Sequence, residues 1–123
     1  MYRKINLLLI GCGNIAHEHI KCYRNINNVQ IKWIYSRTPK KTIKLKNKYK
    51  SLNLEIVEDL EKLIKQNKNK IDAALVLVNY DQIFNISKLL LKNKINLFIE
   101  KPPGLNLEEI ILLNDLSQKY RLI

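Results

Sequence analysis

The chain has 123 residues, 46% of them hydrophobic, which is enough for one domain with its own core and too apolar for a disordered chain. Its longest apolar runs, "INLLLI" and "IDAALVLV", are far shorter than a membrane-spanning helix. The formal net charge is +11, and all of the excess lies in residues 1–54, which carry 12 Lys or Arg and one acid.

The first residues do not have the pattern of a signal peptide, because the apolar run after the basic start ends in a glycine turn instead of a cleavage site. Cys12 and Cys22 lie ten residues apart, a spacing that suggests neither C-x-x-C chemistry nor a disulfide framework. We therefore expect a cytoplasmic protein with reduced thiols and no membrane partner.

The first half of the chain alternates strand and helix patterns. Residues 4–10 read as a buried strand, and residues 14–26 as a helix. The apolar side chains near helical spacing in that helix are Ile15, Ala16, Ile20, Tyr23 and Ile26. Residues 29–35 alternate like a strand with one wetter face. A lysine-rich helix is predicted over 38–50, with Thr38 as its N-cap and Pro39 at its first position.

The second half continues the alternation. Its elements are a strand at 54–57, a helix marked by Leu60, Leu63 and Ile64, a strand at 71–78, a helix marked by Ile83, Ile86, Leu90 and Leu91, a strand at 96–100, and a helix marked by Leu107, Ile110, Ile111, Asn114 and Leu116. Asn106 and Glu109 are placed to cap the last helix. Residues 120–123, "YRLI", resemble the start of a sixth strand. This alternation predicts an α/β fold with a doubly wound parallel sheet, a Rossmann fold.

A glycine loop follows the first strand directly. The chain has three glycines, and two of them form the G-x-G-x-x-A pattern of "GCGNIA". Gly11 would permit the tight turn, Gly13 the close approach of a pyrophosphate, and Ala16 the packing of helix against strand. The free N–H groups of the helix start favour phosphate. We therefore predict a dinucleotide site, the alternative being a glycine turn without a ligand. Its residues here are Gly11, Cys12, Gly13, Asn14 and Ile15.

The end of the second strand bears on the choice of dinucleotide. An acid there would accept the ribose hydroxyls of NAD, but the sequence has Ser36, Arg37 and Thr38. A hydroxyl beside a guanidinium suits a 2′-phosphate better, and Lys40 and Lys41 follow nearby. We predict NADP or NAD as the cofactor, with the balance towards NADP. The alternative is that these cations are only solvated.

A metal site is not expected. His17 and His19 lie two apart on a helix and point in different directions, and His19 with Cys22 supplies only two ligands.

The run "INLFIEKPPGLNLEE", together with "GCGNIAHEHI" and "IDAALVLV", resembles the N-terminal nucleotide-binding domain of the glucose–fructose oxidoreductase / inositol dehydrogenase (Gfo/Idh/MocA) family. The resemblance implies that Lys101 is catalytic and hydrogen-bonds the reacting hydroxyl near the nicotinamide. It implies that Glu100 holds the strand end and that the Lys101–Pro102 bond is a candidate cis peptide. The alternative for Glu100 and Lys101 is a surface salt bridge before a proline turn.

The sequence departs from the family pattern after the fourth predicted strand, where "VNYDQIFN" has neither the usual proline nor the histidine. The resemblance places Val78, Asn79 and Tyr80 there as cofactor-binding residues, with Glu100, Lys101 and Pro102 across the site.

The resemblance covers the whole chain, so residues 1–123 are predicted to be one dinucleotide-binding domain, a fragment or truncated product that lacks the family's second α/β substrate domain. It implies an NAD(P)-dependent oxidoreductase of a sugar, cyclitol or sugar nucleotide, homo-oligomeric at full length. The alternative is a non-catalytic nucleotide-binding module or a truncated relic. No aromatic-rich sheet motif or recognition-helix pattern accompanies the basic half, so no specific nucleic-acid partner is expected.

Overall fold

A computed structural model describes residues 2–123 and contains a five-stranded parallel sheet in the order β3-β2-β1-β4-β5. The strands are β1 (Ile5–Ile10), β2 (Val29–Tyr35), β3 (Glu55–Val57), β4 (Ala73–Val76) and β5 (Asn96–Ile99). The helices are α1 (Asn14–Tyr23), α2 (Pro39–Lys48), α3 (Leu60–Asn67), α4 (Tyr80–Lys92) and α5 (Leu107–Lys119), with a 3-10 turn at Lys50–Leu52. The strand order reverses between β1 and β4, as in a doubly wound sheet. The predicted fold class is confirmed.

The central strand β1 is buried on both faces. Leu7 and Leu9 pack with residues of α1 and α2 on one face, while Leu8 and Ile10 pack with residues of α3 and α4 on the other. All four side chains are at most 5% exposed. Two apolar layers thus enclose the sheet, which explains why the strand reads as a continuous apolar run.

Helix α1 is shorter than predicted. It ends at Tyr23, and two turns follow in which the Asn25 and Ile26 N–H groups donate to the Cys22 and Tyr23 carbonyls. Ile26 is therefore outside the helix and exposed, and Ile15 is exposed as well. Only Ala16 and Ile20 are fully buried, so the face of α1 that packs on the sheet is narrower than the sequence pattern indicated.

The predicted start of a sixth strand is not a strand in the structure. Residues 120 and 121 form a turn, and residues 122 and 123 have no regular structure. The Leu97 N–H nevertheless donates to the Ile123 carbonyl at 2.9 Å, and the Ile123 N–H donates to the Asn96 side chain at 3.1 Å. One backbone bond at the outer edge of β5 does not make a strand ladder.

Two of the predicted capping features have different outcomes. The Asn106 side chain accepts from the Glu109 N–H at 3.0 Å, as expected, and the Glu109 carboxylate accepts from the Leu105 N–H at 2.7 Å. Thr38 is the N-cap of α2 and Pro39 its first residue, but the Thr38 side chain makes no capping bond.

Within residues 2–123, no helix combines the length and apolar character needed to cross a bilayer.

Candidate functional site

The turn after β1 requires glycine at its first position. Gly11 has φ of +102°, which L side chains rarely adopt, and its N–H donates to the Tyr35 carbonyl at 2.8 Å. A Cβ on Gly11 would collide with the carbonyl of Leu77, whose carbon would lie 2.7 Å away. The loop after β1 therefore passes directly against the end of β4. This agrees with the tight turn expected at Gly11.

Gly13 is different, because neither its backbone conformation nor the packing of residues 2–123 around it requires a glycine. Its backbone is extended, with φ of −83° and ψ of −166°, and a Cβ there would meet no atom of those residues within 4 Å. The space in front of its backbone is open. A ligand that approaches the backbone closely would account for a glycine at this position.

A cleft of about 110 Å³ opens at the carboxyl edge of the sheet, where the loops after β1, β2 and β4 meet. Eight of the predicted cofactor-binding residues line it. They are Gly11, Cys12, Gly13, Ser36, Arg37, Thr38, Val78 and Asn79. These residues come from three separate parts of the sequence. Parallel strands bring them together because all their carboxyl ends lie at one edge of the sheet.

The cleft also lies at the start of three helices. Gly13, Thr38 and Asn79 are the N-caps of α1, α2 and α4, and all three line the cleft. None of these helices has a side-chain capping bond, whereas Asp59 and Asn106 cap α3 and α5. Uncapped helix starts present free N–H groups and a partial positive charge. Three of them converge on one cleft, which is an arrangement suited to phosphate groups.

The remaining predicted residues lie beside the cleft. Asn14, Ile15 and Tyr80 are exposed residues in the first turns of α1 and α4. Among residues 2–123, no acceptor meets the N–H of Asn14 or Ile15. These two groups are therefore free to bind an anion at the start of α1.

Glu100, Lys101 and Pro102 follow β5, two strands from β1 along the same edge of the sheet. Strands lie about 5 Å apart, so this segment is about 10 Å from the glycine loop. The Glu100 N–H donates to the Val76 carbonyl at 3.0 Å, and its carboxylate accepts from the Lys101 N–H at 3.1 Å. Lys101 is exposed, and it forms no ion pair with the described residues. A Glu100–Lys101 salt bridge is thus not observed. The Lys101–Pro102 peptide bond is cis.

The cations near the cleft are fewer than the sequence indicated. Lys41 lines the cleft with Arg37, while Lys40 does not. A second, larger cleft of about 680 Å³ adjoins the first, since Arg37 and Gln82 line both. Four carboxylates line this second cleft: Glu58, Asp59, Glu61 and Asp81. The expected excess of positive charge on this side of the site is therefore offset by acids from the second half of the chain.

The histidines of α1 contact aromatic rings. The His17 ring lies 3.1 Å from the Tyr49 hydroxyl, and burial followed by Lys48, Lys44 and Lys21 lowers the pKa of His17. The His19 ring meets Phe98 edge-on at 5.3 Å and stacks on Tyr23. No group of three His, Cys, Asp or Glu in the described part of the chain is placed to hold a metal ion.

Cys12 provides a test of the loop's packing. Burial raises the pKa of its thiol to about 11, with Lys41 acting in the opposite direction, so little of the thiol is ionised at pH 8. Cys22 is exposed. We expect N-ethylmaleimide at pH 8 to label Cys22 at least about tenfold faster than Cys12, since the thiolate is the nucleophile. Mass spectrometry of time-resolved digests measures both rates. The unfolded protein, in which both cysteines should react at similar rates, is the control. Equal labelling rates of Cys12 and Cys22 in the native protein would show that Cys12 is not buried.

Sequence comparison decides the family. A sequence model described as an oxidoreductase family with an NAD-binding Rossmann fold, Gfo/Idh/MocA, matches residues 5–123. The chain belongs to the Gfo/Idh/MocA family. The predicted family is thereby confirmed, together with the expected cofactor class, a nicotinamide dinucleotide. Comparison with curated protein sequences gave no significant match.

Solved structures share the fold of this Gfo/Idh/MocA chain. The 3-ketoreductase KijD10 from Actinomadura kijaniata, in complex with NADP and TDP-benzene, has a TM-score of 0.85 at 18% identity over 98% of this chain and 36% of its own. UDP-N-acetylglucosamine 3-dehydrogenase GnnA from Acidithiobacillus ferrooxidans has a TM-score of 0.83 at 19% identity, over 100% of this chain and 37% of its own.

GenD2 from gentamicin A biosynthesis, in complex with NAD, has a TM-score of 0.89 at 14% identity, over 100% of this chain and 34% of its own. The present chain thus spans about a third of the length of these structures.

Three residues that line the cleft were not predicted as site residues. Leu77 and Gln82 have no sequence signal, because nothing in the motif around them marks them as ligand-binding. Lys41 did have a signal, since it was one of two lysines at the start of a helix beside the predicted site. Only the packing of α2 shows which of the two faces the cleft.

Proposed function

We propose that this chain is the cofactor domain of an NAD(P)-dependent oxidoreductase. The full-length protein would move a hydride between the nicotinamide and a hydroxyl carbon of a sugar, cyclitol or sugar nucleotide. The observation that carries the proposal is the convergence of three uncapped helix N-termini on one cleft beside Gly13. That cleft supplies N–H donors and positive dipole ends for the pyrophosphate of a dinucleotide.

The sugar-type substrate is supported by a neighbour of the same fold, a UDP-N-acetylglucosamine 3-dehydrogenase, and the oxidoreductase chemistry by another, a 3-ketoreductase. The length of the neighbours, about three times that of this chain, supports the proposal that substrate contacts lie in a second domain.

In this proposal the residues after β5 serve the reacting end of the site. A bound nicotinamide supplies hydride chemistry. Lys101, exposed and without an ion-pair partner among the described residues, holds the reacting hydroxyl by a hydrogen bond and assists movement of its proton. Glu100 fixes the end of β5 through its N–H bond to Val76 and its carboxylate bond to the Lys101 N–H. Asn79 and Tyr80 border the other side.

The proposed binding is tested by calorimetric titration of the chain with NAD and with NADP. Saturable binding of either supports the proposal, and no binding of either contradicts it. The non-catalytic alternative is tested separately: the full-length protein should reduce NAD(P) with a sugar-type alcohol, whereas a binding module should bind cofactor without turnover.

Arg37 is proposed to read the 2′ group of the cofactor. We expect Arg37→Asp to shift the preference from NADP towards NAD by about tenfold or more, because it removes a phosphate partner and adds a carboxylate that accepts ribose hydroxyls. Dissociation constants for both cofactors measure the shift. Arg24→Asp, an equal charge change at the exposed end of α1, is the matched control. A ratio that changes less than about twofold in Arg37→Asp would exclude the role.

A further inference from the structure

Arg37 has a partner that the sequence did not suggest. Its Nη2 atom lies 3.9 Å from Oδ2 of Asp81, with the two side chains 60% and 53% exposed. Arg37 follows β2, whereas Asp81 lies in the first turn of α4. The ion pair therefore connects the segments after β2 and β4, which flank β1 in the sheet. It lies at the edge where the strand order reverses between β1 and β4.

The pair lies where the two clefts meet. Arg37 lines both clefts, and Asp81 lines the acidic one of about 680 Å³. Lys41, the other cation of the smaller cleft, forms no ion pair with the described residues. Arg37 and Lys41 are the two cations that line the smaller cleft. Within the described residues, Arg37 is paired with a carboxylate and Lys41 is not.

We propose that Asp81 sets the cofactor preference of this domain by competing with a 2′-phosphate for Arg37, an inference that rests on the proposed dinucleotide function. A phosphate carries nearly two negative charges at neutral pH, but it can pair with the Arg37 guanidinium only by displacing the Asp81 carboxylate from it. A ribose hydroxyl carries no charge and can donate to the same carboxylate. Asp81 therefore weakens NADP binding and leaves NAD binding unchanged or stronger.

The size of the effect follows from the exposure of the pair. Exposed ion pairs contribute little, and salt screens them further. We expect Asp81→Asn to tighten NADP binding about three- to tenfold while NAD binding changes less than about twofold. The gain should shrink at high salt, as expected for an electrostatic effect.

Calorimetric titration with both cofactors at low ionic strength tests the inference on four variants. They are Asp81→Asn, the control Glu61→Gln, Arg37→Ala, and the double variant Arg37→Ala/Asp81→Asn. Glu61 lines the same acidic cleft and forms no ion pair with Arg37, so Glu61→Gln removes an equal charge without freeing the arginine. We expect NADP to bind more tightly in Asp81→Asn but not in Glu61→Gln. We expect no such tightening when Asp81→Asn is combined with Arg37→Ala.

Three results would overturn the inference and leave the proposed function intact. These are an unchanged NADP-to-NAD ratio in Asp81→Asn, an equal gain in Glu61→Gln, and a gain that persists without Arg37. No binding of either cofactor to the unmutated chain would instead overturn the proposed function, and the inference with it. Because Asp81 is exposed, circular dichroism melting should confirm that Asp81→Asn folds.

Discussion

Replacing Gly13 by valine should abolish dinucleotide binding while the domain still folds. A Cβ at Gly13 would meet no atom of the described residues within 4 Å, and the extended backbone there suits a β-branched residue. The added methyl groups would instead occupy the space proposed for the pyrophosphate. We expect the dissociation constants for NAD and NADP to rise at least about a hundredfold, or about 2.7 kcal/mol.

The measurement is calorimetric titration with both cofactors, beside a thermal melt of the variant. Asn47→Val is a matched control, since Asn47 is an exposed residue of α2 outside the cleft. Its binding should equal that of the unmutated chain. If Gly13→Val folds and binds both cofactors normally, the glycine loop does not hold a pyrophosphate.

In the full-length oxidoreductase that we propose, replacing Lys101 by alanine should slow hydride transfer far more than it weakens cofactor binding. The cleft that holds the phosphates in our proposal lies about 10 Å along the sheet edge from Lys101. The ammonium would act on the reacting hydroxyl, and interactions made chiefly in the transition state affect turnover more than binding. Positioned proton-transfer groups contribute about 10²–10⁴-fold, so we expect a loss in that range. Lys101→Arg should not restore activity, because a guanidinium does not release its proton near neutral pH.

Single-turnover cofactor reduction by substrate, beside a cofactor titration, separates the two effects. Lys92→Ala is the matched control, as Lys92 is an exposed lysine at the far end of α4. The control should keep normal turnover. Near-normal turnover in Lys101→Ala would make the lysine a structural residue of the strand end.

Local sequence was sufficient for β1, for the Asn106 cap and for the alternation of strands and helices. The continuous apolar run of β1 predicted a strand covered on both faces, and Leu7 to Ile10 are buried on both. The Asn106 cap was predicted because a side-chain acceptor reaches an N–H only three residues away, and that bond forms. The alternation of strands and helices predicted the parallel sheet, since parallel strands need crossover connections.

Sequence patterns were less accurate at the ends of elements. The apolar residues near helical spacing in 14–26 included Ile15 and Ile26, yet both are exposed. The spacing of apolar residues along a helix does not determine how much of the helix surface the sheet covers. The covered surface depends on the angle and distance at which the helix packs on the sheet. Residues 120–123 are apolar enough for a strand but make one backbone bond to β5, and a ladder requires successive bonds.

For the candidate site, the sequence by itself singled out the glycine pattern, the end of the second strand and the segments after the fourth and fifth strands. Eight residues of the first three segments line one cleft, whereas Glu100, Lys101 and Pro102 after the fifth strand do not. Only the tertiary structure decided the charge around the cleft. Asp81 lies 44 positions from Arg37 in the chain, yet the packing of α4 beside the switch point brings the two within 3.9 Å. The strength and sign of an electrostatic field depend on distances through space, and the sequence does not contain those distances until the sheet has formed.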